Sequence, residues 1–166
     1  MVKVKVNIRQ HDGQSKRNPL WTCVNKAEAF VYKVTETRRA FYLITNNTQL
    51  DKLLTNESKR NFDKEGLEII TPHEYVAART VFVRGIDAHI RDKSDNEIID
   101  NISQKQPDFK IERLIRLPSK RNIKLICKST NIADNITSQG IQMFNQKFTP
   151  ISLEKEIYAS LQPYLR

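Results

Sequence analysis

Short apolar runs and amphipathic stretches alternate along the second half of the chain. Residues 79–86 form a run rich in β-branched and aromatic residues that closes with a glycine, a pattern typical of a buried strand. The stretches 109–117 and 123–127 predict a second and a third strand. Residues 141–143 and 147–153 predict a hairpin whose second arm is the final strand.

Two helices are predicted between these strands. Ser94 and Glu97 have the spacing of a capping box, which predicts a helix that begins there and places its isoleucines on one face. A second helix is predicted to have Asn131 as its N-cap and to end at Gly140 in the left-handed conformation. The resulting order is β-α-β-β-α-β.

The first half of the chain predicts a similar order. One helix is predicted to have Asn18 as its N-cap and Pro19 as its first residue, with Trp21 on its apolar side. A second helix is predicted to begin at Thr48. The predicted strands of this half cover residues 2–6, 29–34, 40–45 and 67–70.

These orders predict an α+β protein with two tandem ferredoxin-like domains. Each βαββαβ unit forms a four-stranded antiparallel sheet with its helices on one face, which leaves the other face open. The predicted domains are residues 1–76 and 77–158, and residues 159–166 form a C-terminal tail. Many unrelated functions use this layout, so the order of elements does not choose among them.

Charge and composition narrow the classes of function. The chain has 28 Lys+Arg against 19 Asp+Glu, a formal net charge of +9. This charge favours anionic partners, which include nucleic acids, acidic membranes and acidic proteins. No apolar run is long enough to span a bilayer, and Cys23 and Cys127 are too few for a disulfide scaffold or a four-ligand zinc site. We therefore expect an intracellular protein without a membrane partner, in either the nucleus or the cytoplasm.

The strand at 81–86 resembles the first signature strand of RNA recognition motifs, which use this layout. The match covers four of its six positions and fails at Gly85, where the signature has asparagine. The resemblance implies that Phe82 lies on the open face, where a ring can stack on a base, although a core phenylalanine is the alternative. The third strand carries no aromatic residue, which favours phosphate contacts by its lysines.

The first half reverses this distribution. Its first strand has lysines but no ring, and its third strand has Phe41 and Tyr42, which point to opposite faces. We expect Tyr42 to be the exposed ring, available to stack on a base. The cations predicted to meet phosphates of single-stranded RNA or DNA are Lys3, Lys5, Arg38, Arg39, Arg84, Lys120, Arg121, Lys124 and Lys128.

An enzyme is not predicted. The three histidines have no metal-ligand spacing with each other or with the cysteines, and no glycine-rich phosphate loop occurs, so no cofactor is expected. A nuclease would need clustered carboxylates to hold a metal. Four acidic residues are close in sequence, but the capping box already explains one of them; the cluster is Asp92, Asp95, Glu97 and Asp100.

The stretch from residue 67 onward resembles the Gag-like protein of the first open reading frame of arthropod non-LTR (LINE-type) retrotransposons. The residues that carry the resemblance are 67–75, 79–86, 132–136, 138–141, 148–151 and 162–166. In that family the last of these runs leads into CCHC zinc knuckles. The resemblance implies a fragment that binds the element's RNA and packages it into a ribonucleoprotein particle, with self-association as a further property. The alternative is a protein-interaction module whose open sheets dock a partner protein or each other.

Overall fold

The computed structural model describes residues 1–119 and 121–153. The chain divides into two compact units, of which the first is Met1–Tyr75 and the second begins at Val76. The domain boundary predicted from the sequence lies one residue further on. Lys120, the end of the predicted second domain and the predicted tail at 159–166 lie outside the described residues.

The first unit is one antiparallel sheet with three helices. The strands stand in the order β2-β3-β1-β4, and every neighbouring pair is antiparallel. The elements are β1 (Val2–Ile8), α1 (Arg17–Lys26), β2 (Lys33–Glu36), β3 (Ala40–Thr45), α2 (Asn47–Leu53), α3 (Asn56–Lys64) and β4 (Leu67–Ile69).

Alternation along the strands decides which face of this sheet is buried. Val2, Val4 and Val6 are buried while Lys3 and Lys5 between them are exposed, because successive side chains of a strand point to opposite faces. The valines join one hydrophobic core with the apolar sides of the helices, and the lysine face carries no helix residue of that core.

The helix α4 (His73–Ala78) occupies the segment that the sequence predicted as the join between domains. Its Tyr75 is buried, and the hydroxyl donates to Asp51 Oδ1 at 2.6 Å. The chain therefore leaves the first unit through a helix and not through an extended linker.

The second unit repeats the layout. Its sheet has the order β10-β5-β7-β6, again antiparallel throughout, with a separate two-stranded hairpin of β8 and β9. The elements are β5 (Thr80–Val83), α5 (Ala88–Arg91), α6 (Asp95–Lys105), β6 (Ile111–Arg116), β7 (Ile123–Cys127), α7 (Thr130–Gln139), β8 (Ile141–Met143), β9 (Gln146–Phe148) and β10 (Ile151–Ser152). The two sheets confirm the predicted fold class of two tandem ferredoxin-like domains.

Several predicted boundaries in the first unit are wrong. The helix α1 begins at Arg17 and not after Asn18, and Trp21 is 36% exposed while Cys23 takes the buried position. The predicted second helix is two helices, because Asn46 and Thr55 each cap a helix with their side chains. Asparagine and threonine compete well for such N-cap positions, so a second start within one amphipathic stretch is easily overlooked.

In the second unit the capping box of Ser94 and Glu97 is present as predicted. Ser129, and not Asn131, caps α7, and Gly140 ends that helix with a φ of +81°. The predicted hairpin also forms, but the final strand is a separate element after Pro150. Proline cannot donate to a ladder, which explains the break between β9 and β10.

Candidate nucleic-acid interface

The open face of the first sheet carries lysines around a tyrosine. Phe41 and Leu43 of β3 point into the core, so Tyr42 and Ile44 point to the open side. In the register of the sheet, Tyr42 stands opposite Lys5 of β1, and Ile44 stands between Lys3 of β1 and Lys33 of β2. Residues directly opposite each other share a face. Three lysines, on the two strands next to β3, therefore share the open face with Tyr42 and Ile44.

Tyr42 is the ring at the centre of this face. It is partly exposed, and the Lys3 Nζ lies 4.7 Å from the ring centroid, within the range of a cation–π contact. The pair keeps an ammonium beside an accessible ring. A base that stacks there would have Lys3 and Lys5 near its phosphates.

Arg38 and Arg39 lie in the exposed turn between β2 and β3, at the end of the sheet nearer to Tyr42 than to Ile44. Thr37 tightens this turn: its backbone N–H and its hydroxyl both donate to the Ala40 carbonyl, at 2.8 and 3.0 Å. Both arginines line a polar cleft of about 650 Å³ with the loop that precedes α1. The turn adds two cations to the rim of the open face.

The loop that forms the other wall of this cleft is held by Asp12. Its carboxylate accepts from the Gln14 backbone N–H at 3.1 Å and from Lys16 Nζ at 3.1 Å. These two contacts, the first being the stronger cause, lower the pKa of Asp12 below its usual value. Lys16 is thereby neutralised locally, so the cleft's cationic character comes mainly from the arginine turn.

Three residues near this face were not predicted from the sequence as candidates for nucleic-acid binding, namely Lys33, Phe30 and Tyr32. Phe30 is 51% exposed and Tyr32 54%, and the two rings meet edge to face, with centroids 5.5 Å apart at 81°. The signal was present: two aromatic residues alternate with Ala29 and Val31, both of which pack against the core. Such an alternation predicts exposed rings just before β2, which begins at Lys33 and not at residue 29 as predicted.

The second sheet places Phe82 on its open side but covers it. Val81 and Val83 belong to the core, so Phe82 points away from the helices. It stands between Ile151 of β10 and Lys124 of β7 in the register, and the Arg84 guanidinium carbon lies 5.5 Å from its ring centroid. Only 5% of Phe82 is exposed. A base could reach the ring only after the groups around it moved, so the stacking role of Phe82 stays a prediction.

The predicted cations of this unit are divided between the two ends of β7. Arg121 precedes the strand and its carbonyl accepts from the Ile86 N–H at 2.9 Å, which brings it to the end of the sheet where Arg84 leaves β5. Lys128 follows the strand at the opposite end. Lys124 is half-buried beside Phe82. The structure therefore brings together Phe82, Arg84 and Lys124, with Arg121 at the same end and Lys128 apart. Lys120 lies outside the described residues.

The described residues hold no cluster of three or more His, Cys, Asp or Glu side chains that could bind a metal. In the acidic cluster at the start of α6, Asp95 accepts from Arg116 Nε at 2.9 Å and Glu97 completes the capping box. These carboxylates serve the structure of the helix. Within the part of the chain that the structure describes, no helix combines the length and the apolar composition of a membrane span.

Both thiols are buried. Burial raises the pKa of Cys127 to about 12, against a smaller opposing effect of Arg79. Burial, with a contribution from the Glu65 carboxylate, also raises the pKa of Cys23. Neither sulfur has the low pKa that a nucleophile or metal ligand needs.

No protein-family model and no curated protein matches this chain. Among solved structures, the chain is similar to the three N-terminal RNA-binding domains of the yeast splicing factor Prp24, with 11% identity over 90% of this chain and 65% of that one, at a TM-score of 0.37. It is similar to the C. elegans NONO-1 homodimer, with 9% identity over 92% of this chain and 62% of that one, at a TM-score of 0.41.

A third similar structure is E. coli aspartokinase III in complex with aspartate and ADP, with 14% identity over 81% of this chain and 30% of that one, at a TM-score of 0.31. The chain thus spans less than two-thirds of the length of all three proteins. Structural similarities with identities and TM-scores as low as these assign no function to the chain.

Proposed function

We propose that the first unit binds single-stranded RNA or DNA across the open face of its sheet, with Tyr42 as the stacking ring. The observation that carries the proposal is the group of Lys3, Tyr42 and Lys5 on two adjacent central strands, in which the Lys3 ammonium lies 4.7 Å from the centroid of the partly exposed Tyr42 ring and Lys5 stands opposite Tyr42 in the register. Stacking on a ring and phosphate neutralisation by lysine are the two contacts that single strands use without sequence preference.

The cations beyond this group extend the same surface. Lys33 continues the row from Lys3 across Ile44 to the edge strand, and Arg38 and Arg39 add charge at the β2–β3 turn. In the second unit, Arg84, Arg121, Lys124 and Lys128 serve as phosphate contacts in this proposal, as does Lys120. Because the Phe82 ring is covered, the second unit would bind the nucleic acid through contacts between these cations and its phosphates, without base stacking.

The biological role proposed for this binding is that of a Gag-like protein of a non-LTR retrotransposon, which packages the element's RNA into a ribonucleoprotein particle. Support comes from the resemblance of residues 67–86 and 132–151 to that family. Immunoprecipitation of the protein with its bound RNA should enrich the element's own transcript over cellular messages of equal length. Equal recovery of both would remove the packaging role and leave the binding role in place.

Fluorescence anisotropy with a labelled oligouridine tests the binding at several salt concentrations. Removing the ring in Tyr42→Ala should weaken binding by about 1–3 kcal/mol, and Tyr42→Phe should retain it. The Lys3→Ala/Lys5→Ala variant tests the phosphate contacts. The slope of the logarithm of the affinity against the logarithm of the salt concentration should become less steep by roughly 0.7 for each lost phosphate contact. The matched control for this variant is Lys26→Ala/Lys64→Ala, which removes the same charge from exposed positions on α1 and α3. Absence of binding at low salt, or equal losses in both lysine pairs, would contradict the proposal.

A protein-docking role is the second candidate, and one observation in the second unit favours it. A cavity of about 300 Å³ is lined mainly by apolar side chains, among them Ile86, Ile98 and Ile123. Light scattering with and without RNA separates the two roles, because a dimer that survives high salt and ignores RNA would support docking.

A further inference from the structure

Two exposed aromatic rings stand at the edge of the first sheet, beyond the tyrosine of the proposed site. Phe30 and Tyr32 each expose about half of their surface to solvent. Neither is among the residues that pack in or against the hydrophobic core of this unit, whereas Ala29 and Val31 do pack against it. The two rings are in contact with each other, and a contiguous exposed apolar patch can mark an interaction site.

Buried polar side chains fix the backbone of this pair. The Phe30 N–H donates to Gln49 Oε1 at 3.1 Å, and the Thr45 hydroxyl donates to the Phe30 carbonyl at 2.9 Å. Gln49 is 5% exposed and Thr45 is fully buried. Buried polar groups nearly always have hydrogen-bond partners, and here both partners are backbone groups of Phe30, which these bonds hold in place.

The ring of Tyr32 is held as well. Asn46 accepts from the Gln49 N–H through Oδ1, at 3.0 Å, as the N-cap of α2, and its Nδ2 donates to the Tyr32 hydroxyl at 3.2 Å. One side chain therefore begins a helix and orients an exposed ring. Rings that are already ordered lose little entropy when a ligand binds.

The pair continues the row of Tyr42 on the same sheet. The Tyr32 N–H donates to the Ile44 carbonyl at 2.7 Å, and Ile44 is two residues from Tyr42 on the open face, a distance of about 7 Å along the strand. Lys33 stands opposite Ile44, next to the aromatic pair, and Lys3 stands on its other side. The path from Tyr42 to Tyr32 thus runs between two lysines, a charge pattern that suits a phosphate backbone better than a protein surface.

We propose that Phe30 and Tyr32 form a second base-stacking point, and that the site therefore takes a single strand with one unpaired base at Tyr42 and another at the Phe30–Tyr32 pair. This inference rests on the proposed function of the Tyr42 face. Paired bases in a duplex are already stacked and cannot reach both points, so the pair makes the site selective for single strands.

The test is a length series of labelled oligouridines and oligothymidines with the full chain, together with a hairpin RNA of the same charge. The wild-type affinity should rise with length until one strand reaches both points. Phe30→Ala/Tyr32→Ala should leave the shortest oligomers unaffected and weaken the longer ones by about tenfold or more. Tyr42→Ala should weaken all lengths. The affinities for oligouridine and oligothymidine of equal length show whether the site prefers RNA or DNA.

Two controls keep the result interpretable. Trp21→Ala removes another exposed aromatic residue, from α1, and should change no affinity. Phe30→Leu/Tyr32→Leu retains the apolar bulk without the rings and should behave like the alanine pair, while circular dichroism verifies that both variants are folded.

Each outcome has one interpretation. If the wild type binds no single strand, the proposed function fails. If the wild type binds and Phe30→Ala/Tyr32→Ala has unchanged affinity at every length, the second stacking point is wrong and the Tyr42 site stands. A salt-resistant dimer that this variant abolishes without any change in RNA affinity would make the pair a protein contact and overturn the inference.

Discussion

Tyr42 and Phe82 occupy similar places in their strands, because each lies on a central strand between two residues that are buried in the core. Their surroundings differ. Tyr42 has exposed lysines on the neighbouring strand β1, and it stays partly exposed even though the Lys3 ammonium lies 4.7 Å from its ring centroid. Phe82 lies between Ile151 and Lys124 with Arg84 against its ring, and only 5% of it is exposed. At the scale of the residue, the neighbours across the sheet decide whether a ring can stack on a base.

The buried Cys127 thiol gives a prediction about pH. Folding raises its pKa from 9.0 to about 12, so above about pH 9 the unfolded chain loses a proton that the folded chain keeps. Stability from this group is fully present below pH 9 and should fall by up to about 1.4 kcal/mol per pH unit above it. Urea unfolding of the wild type and of Cys127→Val at pH 7.5, 9 and 10 measures this difference.

We expect the free energy of unfolding of the wild type to fall relative to that of Cys127→Val as the pH rises above 9. A parallel decline of both proteins would show that folding does not raise the pKa of this thiol. Thiol reagents give a second readout, because both cysteines should react only after denaturation.

At the scale of the element, side chains of α6 attach the β8–β9 hairpin to the second unit. Gln106 exchanges two hydrogen bonds with the backbone of Gln142, at 2.9 and 3.0 Å, and Asn101 Oδ1 accepts from the Phe144 N–H at 2.8 Å. Phe144 and Asn145 form the turn, with φ values of +48° and +66°. A bulky residue in this conformation is strained, so the contacts with α6 stabilise a turn that the local sequence does not favour.

Gly140 connects α7 to this hairpin and permits a specific prediction. A Cβ at Gly140 would lie 2.9 Å from the Phe148 carbonyl oxygen, and its φ of +81° with ψ of 176° belongs to a region that glycine almost alone adopts. Gly140→Ala should therefore destabilise the second unit by about 2–3 kcal/mol. Chemical denaturation monitored by circular dichroism measures it.

Gly85 is the matched control. It has a similar φ of +75°, but a Cβ there would meet no atom within 4 Å. Gly85→Ala should lower the free energy of unfolding by only about 1 kcal/mol, because the side chain strains the backbone at this φ but meets no neighbouring atom. Equal costs at both positions would mean that the contact with Phe148 contributes nothing.

At the scale of the whole molecule, the described residues form two separate cores. One contains residues of the first unit only, and the other contains residues from Val81 onward. Trp21 is the single tryptophan and lies in the first unit. Its fluorescence therefore reports on one core, while circular dichroism reports on both.

This division predicts separable unfolding. Leu43→Ala and Leu125→Ala each truncate a fully buried side chain, one in each core, and each should cost about 2–5 kcal/mol. Only Leu43→Ala should shift the Trp21 fluorescence transition, whereas both should shift the circular dichroism signal. A shift of the fluorescence transition by Leu125→Ala would mean that the two units unfold as one.

The sequence by itself determined the elements whose signals are local. Alternation of valine and lysine predicted β1 and its open face, the spacing of Ser94 and Glu97 predicted the start of α6, and the order of elements predicted both sheets. Periodicity and capping depend on a few neighbouring residues, so they can be recognised without the fold. The division of one predicted helix into α2 and α3 could not be recognised, because two good N-cap residues compete within one amphipathic stretch.

Only the tertiary structure decided which side chains share a site and which rings are accessible. Tyr42 is far from Lys3 and Lys5 in sequence, and the pairing of β3 with β1 brings it beside them. Phe82 is covered because Ile151 and Lys124 lie beside it on the neighbouring strands and Arg84 lies against its ring, and the pattern of its own strand does not reveal this cover. Exposure is a property of the packed molecule, since it depends on contacts between residues that only folding brings together.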